Sequence, residues 1–168
     1  MKYVFHLCLL CLLGCTHRST NELHFTQDYE KLKGWSLANC TKEMAHSGVY
    51  AQKITDDNDY GKGFMIRLGD VSTHPLHKIK TSAWLHSPAA DGQVFLVIDI
   101  FSGSENKSIA YTSGNDWSGL IKQNKTWTQC SNEMQIPANV RPDDVLKIYV
   151  WNPKKQVYYI DDFDVSFE

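Results

Sequence analysis

The sequence predicts an all-β fold, an antiparallel β-sandwich of jelly-roll type, and three observations predict it. Apolar residues recur at a period of two along most of the 168-residue chain, and little recurs at the helical period of 3.6. The alternating segments are rich in Val, Ile, Tyr, Trp and Phe, which suit a half-buried pleated surface. Each is short and bounded by Gly, Asp, Asn, Ser or Pro, the residues that make turns.

In chain order, residues 1–14 carry one basic residue, Lys2, and then an apolar run over 3–13 that is too short to cross a bilayer as a helix. This reads as a signal peptide. The run ends at Leu12-Leu13-Gly14-Cys15, which resembles a bacterial lipobox, so Cys15 is the expected lipidation site and membrane anchor of an envelope lipoprotein. An ordinary secretory peptide cut a little later is the alternative. Residues 15–22 are polar, as a tether requires. Residues 23–168 then form one domain, a size that supports a single core.

Strands are expected over 49–54, 64–68, 79–85, 94–101, 108–112, 127–136, 145–151 and 157–167. A short helical turn is expected over 28–33, with Asp28 as its cap. The tract DDNDYG, 56–61, reads as a solvated hairpin. As an EF-hand loop it fails, because Tyr60 stands at the third ligand position and Arg67 where a bidentate Glu is required. The last strand, YYIDDFDVSFE, carries three carboxylates. Strict alternation puts Asp161 on one face with Tyr159, Phe163, Val165 and Phe167, and puts Ile160, Asp162, Asp164 and Ser166 on the other.

The formal net charge of −2 recommends neither nucleic acid nor an acidic polymer as a partner. With the signal removed and Cys15 acylated, Cys40 and Cys130 remain, either as buried free thiols or as a disulfide formed after export. No nucleophile elbow, phosphate-binding loop or His-Glu-x-x-His motif is present. Pro75 spoils His74 and His77 as a rigid metal pair, and Asp143-Asp144 reads as a solvated turn. These readings favour binding over catalysis, and no enzyme activity is expected.

The segments DYEKLKGW, HSGVYAQKI, KIKTSAWLH, KTWTQCSNEMQIP, DDVLKIYVWNP and VYYIDDFDV, taken in order, resemble jelly-roll carbohydrate-binding modules of the galactose-binding-like superfamily, of the group holding families 4, 9 and 22. Tyr29, Glu30, Trp35, Ser47, Gly48, Asp161 and Asp162 occupy matching places. The resemblance implies a structural calcium ion near the chain ends, with Asp161, Glu30 and Ser47 as ligands and Asp162 in reserve, because a bulge would exchange the two faces of the strand. It also implies that Trp35 and Trp127 pack in the core. The physical alternative to calcium is that Asp161 pairs with a Lys or accepts backbone hydrogen bonds beneath a loop.

A sugar site needs an aromatic platform beside polar groups that satisfy hydroxyls. Alternation leaves Trp84 and His86 outside one strand and Lys147, Tyr149 and Trp151 outside another. Trp84, Tyr149 and Trp151 are therefore the expected stacking groups, His86 and Lys147 their hydrogen-bonding partners, and Trp117, in a Gly-rich loop, a further candidate. Carbohydrate is the expected partner. The competing reading is an envelope protein-interaction or structural module with the same fold and no sugar site.

Overall fold

The computed structural model describes residues 23–30, 39–55, 57, 59–61, 63–89, 91–105 and 107–168. The expectations for the signal peptide, Cys15, the tether, Trp35 and half of the turn over 28–33 fall outside these residues.

The described residues form two antiparallel sheets. The strands are β1 Leu23–Gln27, β2 Cys40–Thr41, β3 Ala51–Ile54, β4 Phe64–Arg67, β5 Lys78–His86, β6 Phe95–Phe101, β7 Ser108–Thr112, β8 Thr128–Gln135, β9 Val145–Trp151 and β10 Tyr158–Phe167. One sheet runs β2-β3-β10-β5-β8 with β1 also paired to β10, and the other runs β4-β9-β6-β7. Two short helices, α1 Leu68–Val71 and α2 Ser118–Asn124, join strands.

Alternation explains the core. Ile79, Thr81, Ala83 and Leu85 of β5 face inward, as do Leu146, Ile148 and Val150 of β9, and they meet Leu96, Ile98 and Ile100 of β6 between the sheets. Cys130 lies in this core as a free thiol that burial pushes up to about 12, and Cys40 is also free. Burial of these apolar faces is the dominant stabilising term.

Three features depart from the sequence reading. The tract 56–61 is no hairpin, because β3 and β4 belong to different sheets and the chain crosses between them. Trp127 is half-buried against His46 and His86 on the outer side of the six-stranded sheet rather than in the core. In β10, the pairing with β5 slips between Asp161 and Asp164, and Asp162 takes a φ of +43°. This bulge reverses the strand's faces partway along its length. Phe163, Val165 and Phe167 face the core, as do Tyr158 and Ile160 before the bulge. Asp161 instead faces outward beside Tyr159, opposite Trp84.

The bulge sits where β10 changes neighbours. On one side β10 pairs with β3 over Tyr158–Ile160, then with β1 over Phe163–Phe167. Between these ladders, Asp161 and Asp162 meet the loop that joins β2 to β3.

Candidate functional site

Two surfaces carry the residues singled out from sequence, and they lie on opposite sides of the sandwich.

The first is the outer side of the six-stranded sheet around Asp161. This carboxylate is fully buried. Its Oδ2 accepts the backbone N–H of His46 at 2.7 Å and of Ser47 at 3.1 Å, and its Oδ1 accepts that of Asp162 at 2.8 Å. Burial pushes its pKa up, and the three N–H groups oppose that shift. Asp162 accepts the Ser47 hydroxyl at 2.8 Å and lies 2.6 Å from His46 Nδ1. Glu30 Oε1 accepts the backbone N–H groups of Val49 and Tyr50, each at 2.6 Å. The expected calcium ligands, Glu30, Ser47, Asp161 and Asp162, are therefore brought together around one loop, 44–50.

As the side chains stand, the physical alternative to calcium is what the geometry shows, Asp161 accepting backbone hydrogen bonds beneath a loop. Three N–H dipoles already present positive ends to Asp161, compensating its buried charge as a cation would, and the Ser47 hydroxyl donates to Asp162. Among the described residues no three His, Cys, Asp or Glu side chains gather as a metal-binding group.

The same loop covers Trp84. The His46 ring stacks on the indole at 3.9 Å between centroids, with 13° between planes. His86 lies beside Trp127 and Tyr159, and its desolvated ring titrates below the ordinary histidine value. The stacking face expected of Trp84 is thus already occupied by a side chain of the protein.

The second surface is the outer side of the four-stranded sheet. Pairing registers place its outward residues in rows across the strands. Trp151 stands opposite Phe95, with rings stacked at 5.3 Å, and Tyr60 joins this row through an isolated bridge to Trp151. Tyr149 follows, with Tyr60 edge-on at 5.5 Å. The next row runs Met65, Lys147, Asp99, Tyr111. The last holds Arg67, Val145 and Phe101, and opens into a depression of 570 Å³ bordered by the 102–104 turn. Met65, Tyr60 and Tyr111 are 70%, 49% and 51% exposed, so this sheet face is open to solvent.

Sequence reasoning found Lys147, Tyr149 and Trp151 here but missed Tyr60, Phe95, Asp99 and Tyr111. The Lys147 ammonium lies 3.9 Å from the centre of the Phe101 ring. Burial pushes the Tyr149 phenol up to about 12, with the Asp99 charge adding to it, so its hydroxyl remains a hydrogen-bond donor. Phe95 and Asp99 come from β6, whose run Phe95–Phe101 is almost continuously apolar, so alternation gave no face to read; Tyr111 lies on β7, and Tyr60 stands outside the strands and joins the face only through its bridge to Trp151.

Trp84 and His86 cannot join Tyr149 and Trp151 on one ligand, because the full thickness of the core separates the two outward faces. Nor is Trp117 a free loop-tip ring. It packs half-buried against the core at the start of α2, and its backbone N–H is held by Val94 O at 3.0 Å. Asp144 is buried, and it holds the Arg141 and Gly103 N–H groups at 2.7 and 3.1 Å, so this carboxylate organises a turn instead of being solvated.

The CBM22-1 xylan-binding domain of Xyn10C from Paenibacillus barcinonensis superposes with a TM-score of 0.58 at 15% identity, over 85% of this chain and 92% of that one. The chain has that fold. The C-terminal family 22 carbohydrate-binding module of Xyn10B from Clostridium thermocellum gives 0.54 at 14% identity, covering 84% and 90%. The CBM22 tandem of the Paenibacillus protein gives 0.59 at 16%, covering 88% of this chain and 45% of the tandem. No family profile and no curated protein matches the sequence. The antiparallel β-sandwich of jelly-roll type expected from the sequence is therefore the fold found.

Proposed function

We propose that this protein is a non-catalytic binder of carbohydrate chains, and that the outer side of the four-stranded sheet is its binding face. The observation that carries this is the row of Tyr60, Trp151 and Phe95 with Tyr149 beside it, an aromatic platform on an open sheet next to Lys147, Asp99 and Tyr111. Aromatic faces take the apolar sides of pyranose rings, and the polar groups take hydroxyls. The seven residues of β9 extend about 20 Å. That length suits several rings of a chain better than a single terminal sugar. The CBM22-1 domain of the Paenibacillus protein is a xylan-binding domain, which makes xylan the first ligand to try. In this reading Trp84 and His86 support the fold, and the clasp around Asp161 is held by protein donors without calcium.

The cellular setting is part of the same proposal. Residues 1–14 direct export, Cys15 carries lipid, and the domain works in a bacterial cell envelope. Mass spectrometry of the membrane-bound protein tests this, with an acylated Cys15 as the first residue expected. An unmodified Cys15 in a soluble mature protein would refute it.

Calorimetric titration of the purified protein with polysaccharides tests the binding face. Trp151→Ala and Tyr149→Ala are expected to weaken binding at least tenfold, while Trp84→Ala binds normally. Silence across neutral and acidic polysaccharides would instead favour a protein-interaction module.

A further inference from the structure

We infer that Asp99 sets ligand choice on this face, its carboxylate accepting hydroxyls of a neutral sugar and turning away chains that carry uronates. The inference rests on the binding face proposed above and names what that face selects.

Asp99 occupies an outward position of β6, opposite Lys147 on β9 and Tyr111 on β7, in the row that follows the aromatic end of the surface. Yet it is only 5% exposed, sunk between its taller neighbours. Its Oδ1 accepts the Ser108 hydroxyl at 2.6 Å. Among the described residues no other protein donor reaches the carboxylate, and no ion pair does: Lys147 sits over Phe101 instead. Oδ2 is absent from the side-chain atoms that are sealed without a partner, so it has access from outside.

A carboxylate this buried with a single protein hydrogen bond is under-satisfied. The groups facing it are the Lys147 ammonium, the phenols of Tyr111 and Tyr149, and the Ser108 hydroxyl. Burial raises the Asp99 pKa, and Ser108 and Lys147 oppose that shift only in part. A sugar brings what the site lacks, hydroxyl donors at the height of an aromatic platform. Such charge-assisted hydrogen bonds are strong, and the Ser108 hydroxyl holds the carboxylate in orientation for them. A uronate brings a second negative charge into the same desolvated spot, where like charges repel.

The test is calorimetric titration of the purified protein with xylohexaose and with hexagalacturonate, for wild type, Asp99→Asn and Trp151→Ala. Wild type is expected to bind the neutral chain and not the acidic one. Asp99→Asn is expected to lose about tenfold or more toward the neutral chain, from the usual size of a hydrogen bond to a charged group, and to narrow the preference. Asp99→Asn binding both chains as wild type does, while Trp151→Ala loses binding, would overturn the role of Asp99 and leave the face intact. Undiminished binding by Trp151→Ala would overturn the face itself. Should Asp99→Asn fail to fold, wild type decides: a neutral-to-acidic preference that shrinks as salt rises supports the inference, and equal affinity for both chains at low salt ends it.

Discussion

Asp161 and Asp99 are buried carboxylates on outward strand positions, and the protein treats them differently. Asp161 has three backbone N–H donors and acts as a structural acceptor. Asn at this position turns an amide N–H₂ toward at least one of those donors, so Asp161→Asn is expected to cost about 1–3 kcal/mol, seen as a lower midpoint in urea unfolding. Among the described residues Asp99 has one protein donor, and its raised pKa makes a prediction of its own. A carboxyl whose folded pKa lies above the unfolded value lends stability that is present at pH below the unfolded value. That stability is lost as pH rises through the folded one. At neutral pH the charged Asp99 therefore weakens the fold. Asp99→Asn is expected to melt higher than wild type at pH 7, with the gap closing as pH falls into the ordinary carboxyl range. A variant that melts lower at pH 7 would refute this.

Among the elements, β10 shows what was legible in the sequence and what was not. The core positions of β5 and β9 followed from alternation because those strands are unbroken. The faces of β10 did not, because alternation presumes a continuous ladder and the bulge at Asp162 interrupts it. The cause lies outside the strand's own sequence, in the exchange of β3 for β1 as its neighbour. The clasp residues were legible from the family resemblance, since Glu30, Ser47, Asp161 and Asp162 do converge on one loop. Their hydrogen-bonding partners were not, being backbone N–H groups that no residue pattern reveals. Gly48 is part of this device, with a φ of +60° and an added Cβ meeting the Glu30 carboxylate at 2.5 Å. Gly48→Ala is therefore expected to cost more than the 1 kcal/mol or so of left-handed backbone strain alone. A thermal melt reads the loss, and an unchanged midpoint would contradict the clasp.

At the scale of the molecule, the proposed function gives the two sheets separate tasks. The six-stranded sheet spends its outward aromatics on stability, with His46 seated on Trp84 and the 44–50 loop pinned to Asp161 and Asp162. The four-stranded sheet leaves its aromatics open. The proposed reading, a clasp held by protein donors without calcium, predicts that excess chelator leaves the melting temperature unchanged; a drop of several degrees, reversed by added calcium, would restore a cation to that loop. The central claim is that binding belongs to one sheet and not the other. It is tested most directly by titrating xylohexaose into Trp151→Ala and Trp84→Ala side by side, each checked for its own melting temperature. The account predicts that Trp151→Ala loses affinity with little loss of stability, and that Trp84→Ala loses stability by about 1–3 kcal/mol while a folded sample binds as wild type. The reverse pattern would contradict it.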